Sequence, residues 1–426
     1  MLNNSSMLIP AIIFLVVYAL IVTEKLNRIV AALGGASIML AFKFISQEKA
    51  FLKIDFNTIA LLVCMMLIVN ITKRTGIFEY IAIKAAKVSK GNPITILILF
   101  SIITFTFSAL LDNVTTVLLI VPVTLVVTKT LQTNPVPFLM SEILSSNIGG
   151  TATLIGDPPN IMIGSAAHLS FMDFIKNLAP IVLLIFIVNI FLIKFIYKKD
   201  VQTTEERKEI VMQMDENKAI TDVVLLRKSL FVLAITICGF LLHGSLGFES
   251  STIAIIGSTI LLLISKVDPE EILQEVEWGT LFFFIGLFIM TGVLEDVGLM
   301  ELLAEKALSL TNGNTILTGI LILWISAIAS SFIDNIPFVA TMIPLIKAMA
   351  SSGHISVGPL WWALSLGSCL GGNGTIVGAS ANLIVVGIAE RSGHKISFKD
   401  YFKVGFPLML ISVFISMIYL LIFFLV

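Results

Sequence analysis

The sequence predicts an all-α polytopic membrane protein built as two inverted repeats of five crossings each, every repeat carrying a re-entrant helical hairpin and a broken helix. Three observations carry this: too few charges to coat a water-facing surface, a self-match at one fixed offset, and an uneven sorting of basic residues between two sets of loops.

Of 426 residues, 57% are hydrophobic and 13% charged, where a soluble domain carries about 25%. Apolar runs at 7–22, 59–71, 178–196 and 406–426 approach or reach the ~20 residues needed to cross a bilayer. A net charge of −1 gives no electrostatic case for nucleic acid; the partner is the lipid bilayer. Cys64, Cys238 and Cys369 lie far apart in apolar segments, without metal spacing, and read as small hydrophobes. No basic stretch precedes the first apolar run, which therefore reads as a retained span. No cofactor is expected, and no metal beyond a bound Na+.

The duplication shows in two motifs. Ser108-Ala-Leu-Leu-Asp-Asn-Val matches Ser330-Ser-Phe-Ile-Asp-Asn-Ile, an offset of 334 − 112 = 222. The same offset aligns Gly149-Gly-Thr-Ala-Thr-Leu-Ile-Gly with Gly371-Gly-Asn-Gly-Thr-Ile-Val-Gly, and also Gly35 with Gly257, Gly76 with Gly298 and Asn160 with Asn382.

In the first repeat (1–197), spans are expected at 6–24, 29–46 and 57–73, then an amphipathic stretch along the interface at 76–90. A hairpin follows at 94–131, its arms joined only by Asp112-Asn113. A broken helix covers 136–168, stopping at Gly149-Gly150 and restarting beyond Pro158-Pro159, before a last span at 178–197. The charge-rich stretch 198–227 reads as a cytoplasmic linker in water. The second repeat (228–426) follows the same order, with its hairpin at 316–350 and its broken helix at 358–390. A two-residue polar joint is short for a tip in bulk water. It fits a tip ending at membrane depth, where irregular backbone survives only inside protein or against an aqueous cavity.

With both hairpins re-entrant, 21 of the 27 basic residues, among them Arg28, Lys73, Arg74 and the linker, fall on one face. The positive-inside rule makes that face cytoplasmic and the protein a multi-pass protein of the plasma membrane. Five crossings are an odd number, so the second copy is upside down.

Four polar clusters then lie at membrane depth. The tips give Asp112, Asn113, Thr115 and Thr116, and Asp334 and Asn335. The breaks give Gly149, Gly150, Thr151, Thr153, Asp157 and Asn160, and Gly371, Gly372, Asn373, Thr375, Ser380 and Asn382. Glycine lets the backbone leave the helix, and proline suits a helix restart. Freed carbonyls can ligate a cation, and the next helix N-terminus favours an anion. Asp-Asn between two helices is also a plain N-cap. A buried acid costs ~2.5–3.5 kcal/mol at the bilayer centre, however, and intramembrane acids are functional by default. Glu142 shares a helix face with Ser146 and Gly149, which makes it a candidate proton relay. His168, His243, His354 and His394 fall in loops or span ends and receive no role.

At SALLDNVTTVLL, SSNIGGTATLIGDPPNIMIG, SSFIDNIPF and CLGGNGTIVGASANLIVVGIAE the chain resembles the ion transporter superfamily. The resemblance spans essentially the whole chain. It points to the branch of arsenite permeases, D-type Na+/H+ antiporters and P-protein-type permeases, most of all the last. It implies two hairpin tips and two helix breaks forming the ion sites, a homodimer, and an elevator-type motion of the hairpin-bearing part. Sodium-coupled dicarboxylate members carry Ser-Asn-Thr at the tips, where this chain has Asp112-Asn-Val and Asp334-Asn-Ile. The added negative charge disfavours a carboxylate substrate.

The expected function is a secondary active antiporter for a small inorganic ion, coupled to Na+ or H+, and not an enzyme. Proton-coupled arsenite efflux is the alternative. An anion or dicarboxylate symporter and a passive channel rank below these. So does an intramembrane aspartyl protease, whose Gly-x-Gly-Asp motif is absent.

Overall fold

The protein is described here by a computed structural model covering residues 4–23, 25–351 and 355–425; Glu24, His354 and Val426 fall outside them. Every regular element among the described residues is helical, and eight helices are long and apolar enough to cross a membrane. Polar residues between the apolar runs set the helix starts. Asn27, Asp55, Asn92 and Asp112 each accept a backbone N–H of the first turn of Arg28–Ala41, Phe56–Lys73, Pro93–Leu110 and Asn113–Leu131, satisfying a donor the helix itself cannot.

The 222-residue offset persists in three dimensions. Helices begin at residues 28, 47, 56, 77, 93, 113, 136 and 158, and again at 250, 269, 278, 299, 315, 335, 358 and 380. Packing repeats as well. Within each half the first hairpin arm lies on the broken helix, Pro93–Leu110 on Val136–Thr151 and Thr315–Phe332 on Gly358–Gly371. Between halves the contacts are reciprocal. Arg28–Ala41 packs on Trp278–Asp296 while Phe56–Lys73 packs on Ser250–Ser265, and Pro158–Ala167 meets Asn335–Ser351 while Ser380–Arg391 meets Asn113–Leu131.

Several boundaries differ from expectation. The span expected at 29–46 ends at Ala41, and a short helix, Gln47–Leu52, follows. The first broken helix runs through Gly149 and Gly150 to Thr151. These glycines permit a close approach rather than a stop: a Cβ on Gly149 would lie 2.2 Å from the Phe105 carbonyl oxygen, and one on Gly150 would lie 2.5 Å from that of Gly156. The helix restarts at Pro158 itself.

The stretch between the halves is largely exposed but also docked on the first half. Val223–Leu246 begins inside it. Ahead of that helix, Val201, Val211 and Ala219 are buried against the base of the first hairpin. The Thr203 hydroxyl donates to Leu131 O (2.6 Å), and the Thr221 N–H donates to Thr75 O (3.1 Å). Gly76, at φ +78°, leaves the space that the Ala219 carbonyl fills. Three widely spaced apolar residues in a charge-rich segment gave too weak a pattern to announce this docking.

Lys87 and Glu216 pair across the same seam (2.5 Å), and the ammonium holds the Glu216 carboxyl below the usual range. A depressed carboxyl contributes stability above its unfolded pKa and loses it as pH falls through the folded value. Limited proteolysis of the linker should therefore accelerate below about pH 4, and Glu216→Gln should show the accelerated rate already at neutral pH.

Candidate functional site

Both tips and both breaks converge. Asp157 stands at the N-cap position of Pro158–Ala167 and is buried. Its Oδ1 accepts the Asn113 amide at 3.3 Å and its Oδ2 accepts the Asn335 amide at 3.1 Å. One carboxylate thus joins the first break to both hairpin tips. Asn113 also donates to Asn147 Oδ1 (3.2 Å), and the Asn147 amide donates across the repeats to Asn373 and Asn382, at 2.9 Å each.

The remaining break residues serve mainly to hold the break. The Asn160 amide reaches the carbonyls of Gly150, Thr151 and Thr153, and the Asn382 amide reaches those of Gly372 and Thr375. The Thr153 hydroxyl donates to Ala109 O, and Thr375 makes the same bond to Ser331 O. Ser108 donates to Ser146 O and Ser330 to Ser368 O, both at 2.6 Å. All of these pairs but Asn160 to Thr151 O repeat at the 222-residue offset. The carbonyls expected to be free for a cation are thus partly engaged, although each keeps a second lone pair. Thr151 turns back to Asn147 O, and the Thr116 hydroxyl is buried without a hydrogen-bond partner among the described residues. Thr115 contributes its backbone N–H, which donates to Asp112 Oδ1 at 2.8 Å.

The two tip aspartates are equivalent in sequence but not in surroundings. Asp112 caps its helix and lines a cavity of about 40 Å³ together with Asp157, Glu277, Arg28 and Asn335. That volume holds a few waters or one small ion. It does not hold a tricarboxylate. Asp334 caps through Oδ1 to the Ile336 N–H, while its Oδ2 accepts from Ser380 (2.6 Å) and from Arg28 Nη1 (3.3 Å). Glu142 lies apart from the cavity lining, buried in Val136–Thr151. Thr124 donates to its Oε1 at 2.5 Å, and its Oε2 has no hydrogen-bond partner among the described residues.

Four helix N-termini, at Asn113, Pro158, Asn335 and Ser380, therefore point into one polar centre. Built-in carboxylates stand at three of them.

Sequence reasoning missed Arg28, Asn147, Glu277 and Ser365. Arg28 looked like a loop cation at a span end. Asn147 is a neutral residue within an apolar helix, and its repeat partner at the offset is Cys369, which hides the pattern. Glu277 occupies the capping slot that Asp55 fills in the other half. Ser365 donates to Asn160 Oδ1 (2.6 Å) and orients its amide. His243, given no role, is buried and joins the halves: its Nε2 accepts the Phe171 N–H at 3.1 Å.

Helices able to cross a membrane, two further helices broken at the centre, and a buried carboxylate at the first break that meets tips from both halves define a polytopic membrane transporter. The comparisons agree. The chain belongs to the citrate transporter family, whose pattern matches residues 18–367. It is 44% identical to a 46 kDa membrane protein of Mycobacterium leprae and 43% identical to an uncharacterized transporter of Mycobacterium tuberculosis, with 96% of each chain covered. It is 34% identical to the human P protein over 95% of this chain and 58% of that protein, so the P-protein resemblance stands. The fold is also that of the YdaH transporter of Alcanivorax borkumensis, with a TM-score of 0.61 over 97% of both chains at 13% identity. The Mycobacterium tuberculosis relative and the YdaH protein are named as transporters.

Proposed function

We propose that the chain is a secondary active antiporter exchanging Na+ and H+ by elevator-type alternating access, with Asp157 as the coupling carboxylate and Asp112 beside it. The position of Asp157 carries the reading: a buried acid held between amides of both hairpin tips. Helix N-termini attract anions, but here protein carboxylates already occupy three of the four. An incoming anion meets like charge in a low-dielectric site, whereas a cation or a proton relieves it. The amides of Asn113 and Asn335 can turn their oxygens inward and so serve a cation as well as a carboxylate. Glu142, neutral when protonated, would donate to Thr124, which in turn reaches Ile120 O at 3.2 Å. This suits a proton-holding group beside the pathway. Inverted orientation of the halves and a homodimer complete the proposal.

A second reading, arsenite efflux, is favoured by the buried amides of Asn113, Asn147, Asn335 and Asn373, which suit a neutral, hydroxylated solute. The family's name points to citrate, which the acidic lining and small cavity disfavour unless a divalent ion cancels its charge.

Flux in proteoliposomes under an imposed pH gradient separates these, using Na+, Li+, K+, arsenite, phosphate, and citrate with and without Mg2+. We expect pH-coupled movement of an alkali cation, lost in a folded Asp112→Asn variant. Arsenite flux with no alkali-cation flux would promote the second reading, and citrate as the preferred substrate would overturn the charge argument.

A further inference from the structure

Arg28 is the cation the site already owns. It is the first residue of Arg28–Ala41, a helix packed on Trp278–Asp296 and outside the hairpins and breaks. Its Nη1 lies 2.7 Å from Ser380 Oγ and 3.3 Å from Asp334 Oδ2, and its guanidinium carbon lies 5.5 Å from the Phe283 ring centroid. Ser380 donates to the same Asp334 oxygen, so tip, break and guanidinium close one polar triangle. Among the described residues Asp112 has no such partner. Position 28 corresponds at the 222-residue offset to Ser250, and Ser380 corresponds to Pro158.

The pockets that share lining residues with the site cavity lie on one side of it. The cavity shares Arg28 and Ser380 with a pocket of about 310 Å³, and Met66 and Glu277 with one of about 520 Å³ that reaches Lys73 and Arg74. Two pockets on the Lys53 side, of about 260 and 410 Å³, share no lining residue with it. The neighbouring pockets of the site cavity thus lie on the side of Lys73 and Arg74.

We infer that Arg28 is a tethered counter-ion that withholds Asp334 from the transported cation while the site faces the basic side, and releases it in the opposite state. In an inverted-repeat transporter, exchanging the conformations of the two halves generates the other state. There, Arg28 and Asp334 take up the relation that Ser250 and Asp112 have here. Ser250 lines a pocket beside His243 that is separate from the Asp112 cavity, so the exchange parts the pair. The contact then stabilises one state alone and reserves Asp112 and Asp157 for the mobile ion. This rests on the inverted antiporter reading above.

The test reads accessibility without any transported ion. Leu383 lines the pocket beside Arg28 and is 37% exposed. Cys64 and Cys369 are buried and Cys238 is exposed, so Leu383→Cys in a Cys238→Ser background gives one reactive thiol. In Na+-free proteoliposomes, Arg28→Gln and Asp334→Asn should each slow labelling by an impermeant maleimide about fivefold. The double variant should be no slower than either single variant, and Arg28→Lys should recover part of the rate. Unchanged labelling in both singles, or single effects that multiply in the double, would overturn the assignment. Where Arg28→Gln does not fold, Asp334→Asn and Arg28→Lys carry the comparison. Absence of cation flux in the wild type would sink the antiport reading while leaving the labelling result intact, so the two failures are distinguishable.

Discussion

Asp157→Asn is expected to abolish coupled cation movement, by about 100-fold or more, in a protein that remains folded. The two side chains have the same shape, so the substitution creates no cavity. It removes a charge whose burial costs several kcal/mol, and it keeps one oxygen to accept from Asn113 or Asn335. The residual cost is one weakened hydrogen bond, about 1–3 kcal/mol if the amide left over finds no partner. What disappears is the one group among the described residues that contacts both tips and can carry either a proton or a cation. Flux under a pH gradient, with a thermal melt of the purified protein alongside, separates the two effects. Coupled flux at the wild-type rate would remove Asp157 from the mechanism.

Gly149→Ala is expected to do the opposite, damaging the fold rather than the chemistry. A Cβ at this position falls 2.2 Å from the Phe105 carbonyl oxygen and 2.9 Å from its Cα, so no rotamer change relieves it. The first hairpin arm must move off the broken helix, and overpacking of this kind costs about 1–3 kcal/mol or more. Gly371→Ala meets Ala327 O at 2.6 Å and should destabilise somewhat less. Gly387, where an added methyl would meet nothing within 4 Å, provides the control: Gly387→Ala should leave the melt unchanged. A Gly149→Ala variant as stable as the control would mean that the arm and the broken helix are not in this contact.

Much of the architecture was legible because polar residues are conspicuous in apolar runs. Asp112-Asn113 and Asp334-Asn335 stood out as short polar joints between apolar helices, and the Gly-Gly motifs marked the breaks to within a few residues. What could not be read was which polar group faces which. Asn160 and Asn382 were visible as polar residues at membrane depth, but only folding shows that their amides are spent on the carbonyls of their own break. Arg28 failed for a sharper reason: an arginine at a span end is what the positive-inside rule expects, so its ordinary role concealed its contact with Asp334. The docked linker was hidden likewise, since Val201, Val211 and Ala219 lie eight or more residues apart among charges.

The reciprocal packing of the halves has the form of a two-fold interface, in which each contact made by one copy is returned by the other. Two separate, identical chains meeting this way must present the same residue at every paired position. A fused chain escapes that rule. Asp157 can face Ala379, Arg28 can answer to Ser250, Glu142 to Leu364 and Asn147 to Cys369, none of which a symmetric pair of identical chains permits. Covalent fusion therefore did more than hold two halves together: it broke a degeneracy. A centre that symmetry would fill with matched acids can carry a single decisive one, with a different arrangement on each side of it.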